Sequence, residues 1–574
     1  MSESSDHRPT RTEPRRHPAL DYRFRDPERL SDRPVDTVVF GVTAAMAVAF
    51  LVWGFISTES LASASSGGLA WVMRTLDWFF VLTASAFVVF VLWLALGKFG
   101  RIPLGRDGDE PEFRTVSWVA MMFSAGMGIG LMFYGVNEPL TFFADKAGYG
   151  LPGADGMQQQ ELAEKAMAQT LFHWTFHPWA IYAVVGLAIA YGTFRKGRPQ
   201  LISAAFTSLI GRRHAEGPAG KVIDMLAIFA TLFGSAASLG LGALQISSGM
   251  QIVGWAGEVG NGILIAIISV LTACFVISAV SGVERGIQWL SNTNMVLALI
   301  LAFFVFVAGP TLFILDMLPT TIATYASQMP EMAGRTNSSG DYTATWLSAY
   351  TVFYWAWWVS WTPFVGMFIA RISRGRTIRQ FVTGVLLVPS LVSLVWFAIF
   401  GGAGLKMQMD GKNLYGDGVP EQQLFNLLEQ YPFATVMSVL VMVLVAIFFV
   451  SGADAASIVM GTLSQRGTIE PKKWLVIFWG VATGATAAVM LLVGGEDALN
   501  GLKTITILSA VPFVVVMVGL CVALTRDLSR DPLVVRTQVA RDAVHDAVVT
   551  AVTEHGDDFR LVVEPSEPNK PSAS

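Results

Sequence analysis

The chain has 574 residues, of which 53% are hydrophobic and only 14% are charged, and its formal net charge at pH 7 is −4. Soluble domains carry about 25% charged residues, so the composition excludes a disordered chain, argues against a large soluble enzyme and favours one integral membrane unit. The small net charge argues against a nucleic-acid partner. Cys274 and Cys521 lie in apolar stretches, and two cysteines supply neither a disulfide framework nor a metal cluster.

Twelve apolar segments follow a polar N-terminal tail. Crossing a bilayer core takes about 20 mostly apolar residues. The predicted spans lie near 37–57, 77–98, 116–141, 170–193, 223–254, 260–282, 294–317, 345–370, 378–401, 433–462, 473–494 and 503–525. We therefore predict a tail over residues 1–36, a twelve-helix domain over 37–526 and a second tail over 527–574. Between the seventh and eighth spans, Thr320–Met329 is a candidate for a short surface helix.

Most of the 39 Lys and Arg residues lie in the N-terminal tail and in alternate loops. Positive residues concentrate on the cytoplasmic side of a membrane. The sequence therefore predicts a multi-pass protein of the plasma or inner membrane, in contact with its lipids, with both termini in the cytoplasm.

Three glycines fall within five residues of the third predicted span, in the segment Ser124–Gly130. Each weakens a helix by about 1 kcal/mol relative to alanine, and a broken helix survives in lipid only where it is buried or lines a cavity. Many transporters hold substrate and sodium at such breaks. Close helix packing through small residues remains an alternative for this segment taken alone.

Aromatic residues cluster in two later spans. They are Trp174, Trp179 and Tyr182 in the fourth span and Trp357, Trp358 and Trp361 in the eighth. At about 100° per residue, the three tryptophans of the eighth span share one arc of the helix. A single tryptophan is often an interfacial anchor, but clusters of this density are typical of an aromatic cage, whose ring faces attract a quaternary ammonium without a buried counter-charge.

The glycine run and the tryptophan-rich span lie five spans apart. That offset is expected if spans 3–7 and 8–12 form an inverted repeat in which each half opens with an irregular helix. The fold class predicted is an all-α polytopic membrane protein with two helices preceding the repeat.

At these residues the sequence resembles the betaine/choline/carnitine transporter family. The similar segments, in chain order, are Ala125–Gly130, Asn137–Pro139, Trp174–Tyr182, Trp355–Gly366 and Ala370–Arg376. The resemblance implies a LeuT-like fold, a homotrimer, and secondary active symport of a zwitterionic osmolyte with sodium by alternating access. It implies no enzymatic activity and no cofactor apart from the coupling sodium ions.

The resemblance also assigns a substrate site. The trimethylammonium cage would be formed by Trp174, Trp179, Tyr182 and Trp358, with Trp357 and Trp361 along the pathway. The substrate carboxylate would meet the unwound backbone of the glycine run and one hydroxyl, at Ala125, Met127, Gly128, Gly130 and Ser238. Phe133 matches an aromatic residue that closes the site.

Two sodium sites follow from the same resemblance. One would use Thr231, Ser235 and Phe364, and the other would use Ser124, Met127, Phe448 and Ser451. Betaine carriers usually show two consecutive hydroxyl residues where this chain has Ser451 followed by Gly452. Altered or absent sodium coupling is therefore an alternative.

Gly130 bears on the choice of substrate. Choline-selecting relatives tend to carry Asp there, where a carboxylate compensates the charge of a substrate that has none of its own. An uncharged Gly130 favours a zwitterion, glycine betaine first, with ectoine, proline, choline and carnitine as alternatives.

Three further polar features fall outside these assignments. Asp454 is the conspicuous carboxylate of the tenth span, for which a structural role in joining helix ends is favoured over proton transfer. His173 and His177 have metal-ligand spacing but no third ligand nearby, so packed histidines are favoured. The C-terminal tail is acidic and holds an amphipathic pattern over 535–552, so we do not expect a basic, lipid-sensing switch there.

Overall fold

The computed structural model describes residues 33–126, 128–145, 149–257, 260–281, 284–495 and 497–562. The described chain is all-helical, apart from one isolated bridge between Pro103 and Thr377. The helices are α1 (Thr37–Ile56), α2 (Thr58–Leu96), α3 (Thr115–Gly126), α4 (Ile129–Ala144), α5 (Gln159–Trp174), α6 (Phe176–Ala190), α7 (Ile202–Ala205), α8 (Thr207–Ile210), α9 (Arg212–Ala215), α10 (Pro218–Ile252), α11 (Asn261–Ser281), α12 (Glu284–Ala308), α13 (Thr311–Gly334), α14 (Asp341–Ala349), α15 (Thr351–Arg371), α16 (Ile378–Met409), α17 (Gln423–Leu428), α18 (Ala434–Ser464), α19 (Lys473–Gly494), α20 (Ala498–Ser529) and α21 (Pro532–His555).

Within the described residues, eight helices are long and apolar enough to cross a membrane, or nine if the bent pair α12 and α13 counts as one span. The eight are α1, α2, α10, α11, α16, α18, α19 and α20. Their positions agree with eight of the predicted spans. The seventh predicted span ends early, at Ala308, because Pro310 ends the helix and the chain turns by 105°. The predicted surface helix is part of the longer α13.

Three of the predicted spans are divided by short irregular segments. The third breaks between α3 and α4, where Gly128 is extended (φ −171°, ψ 179°), so the break predicted at the glycine run is confirmed. The fourth breaks at Thr175, which the sequence did not indicate. The eighth breaks at Tyr350, one residue before α15.

The helix α15 runs without interruption through its tryptophans even though it contains a proline. Pro363 has no N–H and so leaves the carbonyl of Val359 without its helical donor. The hydroxyl of Thr362 donates to that carbonyl over 2.6 Å. A freed backbone group inside an apolar helix is thereby satisfied within the same turn.

Glycines let α15 approach its two neighbours closely. A Cβ atom on Gly366 would lie 2.8 Å from Val185 of α6, and a Cβ on Gly186 would lie 2.8 Å from Ile369. On the other side, a Cβ on Gly234 of α10 would lie 2.6 Å from the Cβ of Ser360. These contacts exclude side chains, so α6, α10 and α15 form one closely packed group that carries the aromatic clusters.

The described chain divides into two compact units, one that ends at Leu524 and a second that begins at Thr525. In the second unit, the C-terminal helical pattern is confirmed as α21. Asp531 caps this helix by accepting from the amide of Leu533, and none of the helix residues is buried.

Asp36 ties together the ends of three helices. As the N-cap of α1, its Oδ1 accepts from the amides of Val38 and Val39, each over 3.1 Å. Lys221 of α10 lies 3.0 Å from the same carboxylate, and Arg466, just after α18, lies 3.4 Å from it. Burial alone would raise the pKa of Asp36, but the hydrogen bonds from Lys221 and the two amides outweigh it, so this pKa lies below its ordinary value.

We predict that Asp36→Ala lowers the stability of the detergent-solubilised protein by about 1–2 kcal/mol at pH 7, through loss of the cap. A lowered carboxyl pKa stabilises the fold above the ordinary value of about 3.9 and stops doing so as the pH falls through the folded pKa. The difference in unfolding temperature between the two proteins should therefore be present at pH 7 and shrink below about pH 4.

The matched control is Asp410→Ala, which removes an exposed carboxylate from an i,i+4 pair with Lys406 and should change stability little. An Asp36→Ala protein that melts like the parent at pH 7 would show that this carboxylate does not join the helix ends.

Candidate functional site

All six predicted aromatic residues line one cavity of about 40 Å³ between α4, α5, α6, α15 and α16. The lining residues are Gly128, Gly130, Leu131, Trp174, Pro178, Trp179, Tyr182, Trp357, Trp358, Trp361, Val365 and Ser393. Leu131, Pro178, Val365 and Ser393 were missed by the sequence reasoning. Helical spacing could have indicated two of them, because Pro178 and Val365 each lie one turn beyond a predicted tryptophan.

The rings form the walls of this cavity at close range. Trp357 and Trp358 stack with centroids 4.7 Å apart and an interplanar angle of 15°. Trp174 stands edge-on to Trp358 at 4.9 Å and 73°. Tyr182 stands edge-on both to Trp358, at 6.3 Å, and to Trp179, at 5.3 Å. The cavity holds only a few water molecules, so admitting a trimethylammonium group requires at least one ring to move.

Four of the indole N–H groups donate to partners around the cavity. Trp357 donates to the hydroxyl of Ser238 (3.2 Å), Trp358 to the carbonyl of His173 (3.0 Å) and Trp361 to the carbonyl of Gly234 (3.0 Å). The fourth, Trp174, donates to a carboxylate over 2.6 Å. With its N–H group bonded, each of these rings presents only apolar and π surface to its surroundings.

The lining contains no ionisable acid, so a cation there would be held by ring quadrupoles. Each ring contributes about 0.5–2 kcal/mol to such a cation, depending on how completely the site is desolvated. An aromatic wall of this kind suits a large, weakly hydrated cation such as a quaternary ammonium.

Gly130 is confined by two of the rings. A Cβ at this position would lie 2.8 Å from Cη2 of Trp174 and 2.8 Å from Cη2 of Trp357. Any side chain, the aspartate of choline-selecting relatives included, would push the two indoles apart. In this chain the absence of a side chain at Gly130 is thus a packing requirement of the cage.

We predict that Gly130→Ala weakens binding of a quaternary ammonium substrate by about 10-fold or more, because the displaced indoles no longer present their faces together. The apparent affinity can be measured by substrate-dependent quenching of tryptophan fluorescence in detergent. Gly67→Ala is the matched control, since its Cβ would meet nothing within 4 Å. Equal affinities in the Gly130 variant and the parent would contradict the confinement described above.

Behind the cage lies a buried carboxylate, Glu138 of α4, with no exposed surface. It accepts from Trp174 Nε1 (2.6 Å), from the hydroxyl of Tyr354 (2.5 Å) and from Nδ1 of His173 (2.6 Å). Three donors on two neighbouring helices therefore converge on one side chain. The sequence analysis noted this glutamate only as part of a family motif, although a lone acid in an apolar span is itself a functional signal.

The network continues beyond His173. With Nδ1 donating to Glu138, the neutral tautomer accepts at Nε2, where the hydroxyl of Thr351 lies 2.9 Å away and the amide of Gln169 lies 3.1 Å away. Arg335, which follows α13, donates to Gln169 over 2.9 Å. His173 is thus a link in a polar chain that reaches the cage.

We predict that Glu138→Gln keeps the shape of the side chain but raises the substrate concentration for half-maximal binding by about 10-fold, the equivalent of roughly 1.4 kcal/mol. An amide offers one oxygen in place of two, so at least one donor loses its partner and Trp174 loses its fixed orientation. Fluorescence quenching reports both affinity and the environment of the indole.

Glu161→Gln is the control for the Glu138 variant, because it removes an exposed carboxylate that pairs with Lys165 over 2.9 Å, outside this network. If a folded Glu138→Gln protein binds substrate as tightly as the parent, the carboxylate does not position the cage.

The structure places the remaining predicted substrate residues in different positions relative to the cavity. Ser238 does not line the cavity but accepts the hydrogen bond from Trp357. Phe133 is buried against Tyr134, with ring centroids 4.8 Å apart. Ala125 lies in the last turn of α3, where side chains are not described, and Met127 lies outside the described residues.

The register of the α10–α15 contact bears on the first predicted sodium site. Ser238 and Gly234 of α10 bond to Trp357 and Trp361 of α15, so the helices run antiparallel in register. Continuing this antiparallel register by one helical turn would bring Thr231 of α10 level with Phe364 of α15. The Thr231 hydroxyl donates to Ala227 over 2.8 Å, which leaves its oxygen lone pairs available to a cation.

The second predicted sodium site is only partly described. Ser451 of α18 donates to the carbonyl of Phe448 over 3.3 Å. The side chain of Ser124 and the whole of Met127 lie outside the description, so no geometry can be given for their part of the site. Asp454 is buried in α18 and has no hydrogen bond or ion pair to another described residue, so the expected role in joining helix ends finds no support.

The second histidine of the predicted pair shares ring contacts with the first but not its hydrogen bonds. The ring of His177 stacks on Trp355 with centroids 5.0 Å apart, and Nε2 lies 3.3 Å from the hydroxyl of Ser85. His173 and His177 therefore have different hydrogen-bond partners.

Comparison with known proteins finds relatives that match most of the chain. The model of the betaine/carnitine/choline transporter family matches residues 38–533. A betaine/ectoine transporter of Corynebacterium glutamicum is 46% identical over 534 residues, which cover 93% of this chain and 84% of that protein. A glycine betaine transporter of Bacillus subtilis is 40% identical, with 86% and 94% covered. A glycine betaine transporter of Vibrio parahaemolyticus is 39% identical, with 85% and 93% covered.

Proposed function

The chain belongs to the betaine/carnitine/choline transporter family, and we propose that it imports glycine betaine by symport with sodium. It is a multi-pass membrane transporter and not an enzyme. The observation that carries the proposal is the cavity walled by aromatic rings, with four indole N–H groups bonded to surrounding residues. Such a wall suits the trimethylammonium group of betaine.

A zwitterion is the proposed class of substrate. The cage offers no carboxylate to a cation, and Gly130 has no room for one. A substrate that brings its own carboxylate meets the extended backbone at Gly128, where amide groups are not engaged in a helix. Ectoine is the second candidate, because the relative from Corynebacterium glutamicum is named a betaine/ectoine transporter. Proline, choline and carnitine are further alternatives.

Sodium is the proposed coupling ion. Support comes from the hydroxyls of Thr231 and Ser235 on α10, both buried, and from the ring of Phe364 at the same level of α15. Hydroxyl oxygens are hard ligands of the kind that alkali cations take, and the ring adds a cation–π contact. The second ion is proposed near Phe448 and Ser451, where Gly452 lacks a hydroxyl.

We further propose the remaining features of the family for this chain. These are twelve spans with an inverted LeuT-like repeat, a homotrimer, and a location in the plasma or inner membrane with both termini in the cytoplasm. The divided third and eighth spans support the repeat, because each would open one of its halves.

Uptake of labelled betaine into proteoliposomes tests this function. We expect accumulation with an inward sodium gradient, little uptake with potassium in its place, and competition by ectoine weaker than by betaine. Thr231→Ala should raise the sodium concentration for half-maximal uptake by about fivefold or more while leaving betaine binding at saturating sodium nearly intact.

Two results would contradict the proposal. Betaine uptake that does not depend on sodium would show that sodium is not the coupling ion. Unchanged sodium dependence in Thr231→Ala would show that Thr231 is not part of a sodium site. Preferential uptake of choline would show that the substrate is a cation and not a zwitterion.

A further inference from the structure

A second, larger cavity lies on the predicted external side of the cage. Its volume is about 720 Å³, and residues of α4, α10, α11 and α20 contribute to its wall. One lysine, Lys503 of α20, lines it with only 8% of its surface exposed. A lysine buried this far in a membrane-spanning helix is uncommon and is a functional candidate by default.

The ammonium group of Lys503 is held by ring faces. Its Nζ lies 4.9 Å from the ring centroid of Tyr350 and 5.5 Å from that of Phe353. Among the described residues, no carboxylate lies within ion-pair distance of it. Ring faces do not neutralise the positive charge of Lys503, and no described carboxylate lies close enough to pair with it. This charge lies at the wall of the cavity.

Lys503 is also close to the cage. Phe353 stacks on Trp357 with centroids 5.5 Å apart and an angle of 20°, and Trp357 is a wall of the cage. The ammonium therefore lies two ring layers from the cage. Any solute that enters the cage from this cavity passes within range of the charge.

Acidic groups line the same cavity. Asp497 precedes α20, six residues and so about 9 Å along the helix axis from Lys503, and Glu421 lies in the wall. Burial and the nearby Asp497 raise the pKa of Glu421. The cavity thus carries two carboxyl groups besides the ammonium of Lys503.

We propose that Lys503 is a specificity-determining residue, which makes the approach to the cage favour zwitterions over quaternary ammonium cations such as choline. A choline-like cation is repelled by the ammonium of Lys503 and carries no negative group of its own to offset that repulsion. A zwitterion carries the same quaternary ammonium, but its carboxylate is attracted to Lys503 and offsets the repulsion. The cage alone discriminates poorly between the two, because ring faces bind the ammonium group that they share.

This inference rests on the proposed function, since it concerns which quaternary ammonium compound reaches the cage. The test is inhibition of labelled betaine uptake in proteoliposomes by unlabelled betaine and by choline. The measured quantity is the ratio of the two half-inhibitory concentrations, choline over betaine, in the parent, Lys503→Met, Lys503→Arg and Lys412→Met. Methionine keeps the length and apolar stem of lysine, so the rings retain a packing partner.

We expect the ratio to fall about fivefold or more in Lys503→Met, the scale of one like charge in a partly wet site. Arginine should preserve the ratio. Lys412→Met should leave it unchanged, because it removes the same charge from an exposed position. An unchanged ratio in Lys503→Met, or an equal fall in Lys412→Met, would overturn the proposal.

The design separates failure of this proposal from failure of the proposed function. If the parent protein takes up no betaine, the function is wrong, whereas the same ratio is still obtained from fluorescence quenching by betaine and choline in detergent. That measurement also serves if Lys503→Met is folded but inactive in uptake. A ratio of binding constants equal to that of the parent would then count against Lys503.

Discussion

The cage depends on the hydrogen bonds of one buried carboxylate. An acid taken out of water is tolerated only when donors replace its hydration, and Glu138 receives three, from Trp174, Tyr354 and His173. These donors lie on α5 and α15, so the need to satisfy one side chain of α4 fixes three helices relative to each other. His173 in turn offers its carbonyl to Trp358. The orientation of two cage tryptophans follows from this single group.

Close helix contacts make the same arrangement possible. Gly186 and Gly366 bring α6 against α15, and Gly234 brings α10 against its other side. Gly130 then lets α4 reach the edges of two indoles. Each of these glycines lies where a Cβ would clash, so their role is to remove volume. The rings can face one cavity because the backbones that carry them are so close.

The irregular segments bring backbone polar groups to the cavity, which the regular apolar helices cannot do because their backbone groups bond within the helix. Gly128 is extended between α3 and α4, and its neighbours line the cavity together with the rings. The site therefore combines an aromatic wall with extended, non-helical backbone, which matches the two ends of a zwitterion. Charges are kept outside the cage, on Glu138 behind it and on Lys503 beyond it.

Sequence alone determined the class of protein, eight of the spans, the break at the glycine run and the six rings of the cage, because apolar length and residue type are local properties. It did not identify the break at Thr175, the early bend after Ala308 or the roles of Glu138 and Lys503. Those depend on which side chains meet across helices far apart in the chain, as when Glu138 meets Tyr354. Only tertiary packing decides such meetings, since an isolated helix does not specify its neighbours.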